Sequence, residues 1–148
     1  MYSVPMITYA ITRAADPDGA YPKILDLLLA FNVGVMGEAG GTPFALVIQT
    51  PGSDEVKGGL WALSLWGSFY VALVIAPEDG RGQGLGREMM LAAEAEAVRQ
   101  GCRDIWLDTF AFQARPFYES LGFEVFGQLD GPAPAFPRWF MKKGLAGS

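Results

Sequence analysis

The run Gly80-Arg81-Gly82-Gln83-Gly84-Leu85-Gly86-Arg87 is the part of this sequence whose residue types and spacing point most directly to chemistry. Gly82, Gly84 and Gly86 carry no Cβ, so the backbone there can come close to an anion. The run precedes a stretch with helical periodicity. A helix N-terminus adds unpaired N–H groups and the positive end of the helix dipole. Arg81 and Arg87 could add charge-assisted contacts to phosphate oxygens. Such a turn suits a pyrophosphate, but it also suits a plain strand-to-helix connection, and neighbouring motifs must decide. Two nucleotide motifs are absent. There is no G-x-x-x-x-G-K-[ST], and Arg87 stands where a G-x-G-x-x-G run begun at Gly82 needs its third glycine.

The chain contains no histidine, which excludes Ser-His-Asp and Cys-His catalysis and the HExxH zinc site. With Cys102 as the only cysteine, a transition-metal site is not expected either. Chemistry is left to carboxylates, Tyr, Ser and Thr, Lys and Arg, backbone groups or a bound co-substrate. Tyr118 lies beside Phe117 and Leu121 at helical spacing, so it is either a core aromatic or a proton donor. Asp108 closes a short apolar run. It is either a cap or turn residue or a general base.

Bulk properties narrow the class. The 148 residues amount to a single domain, and 51% are hydrophobic, which is the composition of a folded chain. Net charge is −5 with only 11 basic residues, a poor match to the phosphate neutralisation that nucleic-acid binding requires. An acidic surface better suits a cationic partner such as an amine. One cysteine precludes an internal disulfide, as in a reducing compartment such as the cytoplasm. The N-terminal stretch MYSVPMITYAITRAAD has no basic region followed by a long apolar core, so no signal peptide is expected. No unbroken run approaches the length of a membrane span.

The elements that must position the turn follow from periodicity and breakers. Met6–Thr12 reads as a first strand and Tyr21–Asn32 as a helix, with Pro22 in its first turn and Gly34 past its end. Phe44–Thr50 and Val56–Trp66 read as strands. Gly67-Ser68 is expected to form a two-residue hairpin turn, with Phe69–Ala76 returning. Residues 84–100 place Gly86, Met89, Met90, Ala93 and Ala97 on one helical face, and Gly101 stops that helix. Ile105–Asp108 reads as a buried strand, Ala114–Leu121 as a short helix, and Phe123–Phe126 and Arg138–Lys142 as closing strands. The order β-α-β-β-β-α-β-α-β-β predicts a mixed α/β fold.

Arg81-Gly82-Gln83-Gly84-Leu85-Gly86 fits the pattern R/Q-x-x-G-x-G/A and resembles the coenzyme A pyrophosphate motif of the GNAT acyltransferases. Ala114-Arg115-Pro116-Phe117-Tyr118-Glu119-Ser120-Leu121-Gly122-Phe123 is similar to that family's FYxxLGF segment. The wider stretch LDTFAFQARPFYESLGFEVFG resembles a bacterial branch of small GNAT proteins, and the likeness runs from about Val56 to Leu145.

The resemblance implies a mostly antiparallel sheet flanked by helices, splayed between the fourth strand, Phe69–Ala76, and the fifth, Ile105–Asp108. It implies acetyl-CoA as co-substrate, its pyrophosphate at Arg81, Gly82, Gln83, Gly84, Leu85, Gly86 and Arg87. The pantetheine arm would pair with Val74, Ile75 and Ala76, and one backbone N–H there would polarise the thioester carbonyl. By the same resemblance, Tyr118 protonates the departing thiolate. The acyl group would pass directly to an amine of a small molecule or peptide, without a covalent enzyme intermediate.

Three departures stand against the family pattern. One clear helix follows the first strand where relatives have two. Phe69–Ala76 carries no carboxylate, Tyr70 and Ala72 standing at the likely base positions. The loop before the late helix reads Thr109-Phe110-Ala111-Phe112-Gln113 in place of an asparagine or serine. Asp108 is the candidate base that remains. The many aromatics could line an apolar acceptor pocket or a homodimer face. Two other readings stay open: an acyl-CoA-binding sensor without catalysis, and a dinucleotide-binding module with Asp104 or Asp108 on a ribose.

Overall fold

The computed structural model describes residues 3–38 and 40–145. The chain divides into two compact units after Gly37. The first contains one helix, α1 (Pro17–Met36). It starts earlier than the sequence suggests because Pro17, lacking an N–H, takes its first turn, while Pro22 lies inside and removes one helical hydrogen bond. Gly37, at φ 79°, ends it by donating its N–H to the Val33 carbonyl at 2.8 Å. By length and composition α1 is long and apolar enough to cross a membrane. A search for unbroken apolar runs misses this, because Lys23 and Asp26 interrupt the run without making the helix polar.

The strand expected over Met6–Thr12 is absent, and residues 3–14 are neither helix nor strand. Its Ile, Thr and Tyr residues favour extended backbone, but a strand needs a neighbouring strand for its N–H and C=O groups. The other element of this unit is a helix, which offers none.

The second unit is a six-stranded sheet with two helices. In chain order it contains β1 (Phe44–Gln49), β2 (Val56–Leu65), β3 (Ser68–Ile75), α2 (Leu85–Arg99), β4 (Asp104–Phe110), α3 (Arg115–Ser120), β5 (Glu124–Leu129) and β6 (Arg138–Gly144). Across the sheet the order is β1-β2-β3-β4-β6-β5. Every neighbouring pair is antiparallel except β3 and β4, which run parallel because α2 connects them. The fold is the mixed, mostly antiparallel α/β sheet flanked by helices that the resemblance implies.

The β2–β3 hairpin turns at Trp66-Gly67, one residue earlier than expected. Both have positive φ, 47° and 84°, as the two central positions of a tight hairpin turn require. Ser68 is thereby released to pair with Leu65 and to donate its hydroxyl hydrogen to Asp104.

Alternation sorts the sheet's two faces. Ile105, Leu107 and Thr109 of β4 are buried, while Trp106, Asp108 and Phe110 point the other way. The buried face meets α2 through Met89, Met90, Ala93 and Ala97. Ala93 and Ala97 are fully buried, and their small side chains let the helix axis come close to Phe69 and Ile105 in the same core.

The feature that matters for function lies between β3 and β4. They pair only at Ser68–Asp104, Phe69–Ile105 and Tyr70–Trp106, then part. On the other side of β3 the register to β2 slips between Trp61 and Ala62, leaving Ala72 as an extra residue. A bulge bends and twists its strand. This one falls two residues beyond the last β3–β4 pair and turns the end of β3 away from β4.

Candidate active site

The parted strands enclose a cavity of about 700 Å³. Residues 71–76 and 107–110 line it from the two strands, and Arg81, Gly86, Met89, Phe117 and Tyr118 also line it. Beyond Tyr70, the β4-facing backbone groups of β3 have no strand partner. Such an edge accepts any extended group that carries amides of its own.

The glycine turn lies at the mouth of this cavity. A single 3-10 turn over Glu78–Gly80 leads into it, and Gly84 serves as N-cap of α2 in the left-handed conformation, φ 74° and ψ 20°. Gly82 has φ 82°. L-residues with a side chain rarely adopt these angles, so the turn's shape depends on glycine at both positions. No side chain caps α2, and its first-turn N–H groups lack helical acceptors.

The predicted cofactor residues separate by position. Val74, Ile75, Ala76, Arg81 and Gly86 line the cavity. Gly82, Gln83, Gly84 and Arg87 are exposed around its rim. Leu85 does not line the cavity; its side chain lies beside Gly80 and in a different groove with Leu46 and Ile48 of β1.

Tyr118 is 8% exposed, wedged between the rings of Phe117 and Phe123 at centroid distances of 5.2 and 6.0 Å. The packing role that its spacing suggests is therefore filled. Its hydroxyl nonetheless makes no hydrogen bond to the protein, and among the described residues no side-chain polar atom is sealed off without a partner. The hydroxyl thus reaches the cavity that Tyr118 lines. Burial, and secondarily the charge of Asp108, push the phenol above its ordinary pKa and keep it protonated.

Asp108 lines the same cavity, two residues past the last β3–β4 pair. It is neither a helix cap nor a turn residue, because β4 runs on to Phe110. Its Oδ2 accepts Nε and Nη2 of Arg138 at 2.8 and 2.6 Å, and its Oδ1 accepts the Tyr70 hydroxyl at 3.2 Å. Tyr70 stacks on Trp106 with ring centroids 4.1 Å apart. Its phenol is pushed up by burial first, then by the Asp108 charge and hydrogen bond, with Arg138 opposing.

Two contributors were not singled out from sequence. Arg138 begins a closing strand, and nothing local marks it as the partner of a residue thirty positions earlier. Gln113 lines the cavity and accepts the Phe110 N–H at 2.8 Å and the Thr109 hydroxyl at 3.2 Å through Oε1, tying down the β4–α3 loop. Its place in the loop before the late helix was the available signal.

Comparison with known proteins agrees with this geometry. The acetyltransferase (GNAT) family pattern matches residues 9–123. An acetyltransferase of Agrobacterium fabrum is 33% identical over 126 residues, covering 85% of this chain and 90% of that one. The blasticidin-S acetyltransferase of Streptomyces morookaense is 30% identical over 92 residues, covering 62% and 68%. Among solved structures, an acetyltransferase from Agrobacterium tumefaciens superimposes with a TM-score of 0.82 at 29% identity, covering 94% of this chain and all of that one. An aminoglycoside 6'-N-acetyltransferase complexed with coenzyme A has the same fold, with a TM-score of 0.56 at 20% identity over 69% of this chain and 72% of that one. A cavity between parted strands, opening at a glycine turn on a helix N-terminus, is thus built on the framework of these enzymes, and the chain belongs to the GNAT acetyltransferase family.

Proposed function

We propose that the protein transfers an acetyl group from acetyl-CoA directly to an amine. The observation that carries this reading is one cavity lined by the unpaired edge of β3, by Arg81 and Gly86 of the glycine turn, and by the open hydroxyl of Tyr118. The turn's left-handed glycines and uncapped helix end suit a pyrophosphate. The free edge at Val74, Ile75 and Ala76 suits the amides of a pantetheine arm. An N–H on that edge stabilises negative charge growing on the thioester oxygen. The amine attacks from the opposite wall, its excess proton leaves to solvent, and Tyr118 gives a proton to the departing thiolate. The aminoglycoside 6'-N-acetyltransferase among the similar structures acetylates nitrogen, as its name states, which supports an amine as acceptor.

The test has two stages. Acetyl-CoA should raise the melting temperature, since a ligand that binds only the native state stabilises it, while NAD and ATP should not do so comparably. Free thiol should then appear when an amine panel is added. Equal shifts from all three nucleotides would defeat the reading of the turn. A second reading, an acyl-CoA-binding sensor, draws on Asp108, the one carboxylate lining the cavity among the described residues, being already engaged by Arg138. Donor binding without turnover of any amine would favour it.

A further inference from the structure

The fate of the Asp108 carboxylate leads to the acceptor. A carboxylate offers about four lone-pair positions. Arg138 fills both on Oδ2 and Tyr70 fills one on Oδ1. One position remains, on Oδ1, in a side chain that is 14% exposed and lines the cavity. The carboxylate cannot swing away, because Arg138 grips it from β6 and is itself held over the rings of Phe110 and Phe140 at 5.0 and 5.1 Å. Among the described residues Asp108 is the only acid lining the cavity, and its charge is already balanced by Arg138.

The surroundings are aromatic. Phe110 lines the cavity on the same side of β4 as Asp108. Phe112 stacks on it at 5.9 Å, and Phe136 meets it edge-on at 6.0 Å. Phe112 lies outside the cavity lining and is 64% exposed, so apolar surface continues from Phe110 beyond the cavity.

Building on the acetyl-transfer reading above, we propose that the acceptor is a monoamine on an apolar, aromatic-sized body. One N–H of its amine is received by the open position of Asp108 Oδ1, and its body lies against Phe110 and Phe112. Arg138 is a positioning residue that acts through Asp108. A polyamine or an aminosugar is disfavoured, because its further ammonium groups would meet no second carboxylate in the cavity and would lose water without compensation. The site therefore differs in selectivity from that of an enzyme for polycationic acceptors, although the donor side is shared.

The probes are phenethylamine, phenethyl alcohol and spermidine, applied to the full chain with coenzyme A present. Binding is read by saturation-transfer NMR in that coenzyme A complex, and acetyl transfer by thiol release with acetyl-CoA in place of coenzyme A. Phenethylamine should bind about tenfold or more tightly than the alcohol, which brings no ammonium N–H to Oδ1, and than spermidine. Asp108→Asn should erase the preference over the alcohol while acetyl-CoA still binds. Arg138→Gln should raise the amine KM with acetyl-CoA KM unchanged, and Arg138→Lys, which keeps the charge but lacks the planar two-pronged guanidinium, should recover part of the loss. A purely structural role would not give that split or that rescue.

Spermidine binding as well as phenethylamine would overturn the proposal, as would an unchanged amine preference in a folded Asp108→Asn protein. Should that variant fail to bind acetyl-CoA, the wild-type comparison of amine with alcohol decides. Failure of acetyl-CoA binding in the wild type would instead remove the acetyl-transfer reading. Donor binding with spermidine as best acceptor would remove only this one.

Discussion

Gly86 faces Phe117: a Cβ at Gly86 would stand 3.5 Å from the ring's Cζ. The first turn of α2, which begins at the glycine turn, thus rests on the residue preceding Tyr118. One methyl added at Gly86 would bring the helix start into van der Waals contact with the neighbour of the proposed acid, which makes small changes at Gly86 informative.

Gly86→Ala should fold normally, because 3.5 Å is an ordinary contact and the residue is helical. Alanine should raise stability by about 0.5–1 kcal/mol over glycine there. Acetyl-CoA affinity should fall, since the added methyl enters the cavity that Gly86 lines. Melting temperature and donor titration on one preparation would show the two moving in opposite directions. A stabilised variant with unchanged donor affinity would place the pyrophosphate elsewhere.

Gly84→Val should behave differently. Its φ of 74° costs a β-branched residue roughly 1–2 kcal/mol, so stability and donor binding should both decline. An unaffected melting temperature would mean that the turn relaxes easily and that its shape is not the basis of binding.

Tyr118→Phe keeps the ring between Phe117 and Phe123 and removes a hydroxyl that has no protein partner. The fold and donor affinity should change little. The value of kcat should fall by on the order of 10²-fold, the usual scale for a general acid, with KM little altered. A fully active but less stable variant would leave Tyr118 a core residue and strengthen the sensor reading.

The pH response follows from the raised phenol. Tyr118 holds its proton more tightly in the fold than in the unfolded chain. The associated stability is complete below the ordinary tyrosine value of about 10 and is lost as pH climbs through the higher folded value. Turnover that depends on the protonated phenol should hold through neutral and mildly alkaline pH and fall only above that ordinary value. Tyr118→Phe should flatten the alkaline limb. A rate that declines well before pH 10 would assign the proton to another group.

Ala93 is fully buried where α2 crosses the sheet. Ala93→Leu should overpack this contact and cost roughly 1–3 kcal/mol in urea denaturation. A neutral effect would show that the interface has slack the burial does not reveal.

Much of the second unit is legible from the chain alone, because local pattern and global fold agree there. Met89, Met90, Ala93 and Ala97 recur at helical spacing and are buried together. Gly101 follows the helix, and at φ 78° it can take the conformation that stops it. The glycine turn is a local device, so its residues declare it, and Tyr118 is marked by the motif around it. The Met6–Thr12 segment misleads for the complementary reason: its Ile, Thr and Tyr favour extended backbone, but only a neighbouring strand makes a ladder. What tertiary structure alone decided is the grouping proposed as the acceptor side. Asp108, Tyr70 and Arg138 sit on three strands and are separated by 38 and 30 positions, so no periodicity relates them. They meet because β3 and β4 pair for three residues and then part beside a bulge, and because β6 folds back against β4. Sequence names residues that can ionise; sheet register determines which of them share a cavity, and so which lone pair of Asp108 stays open.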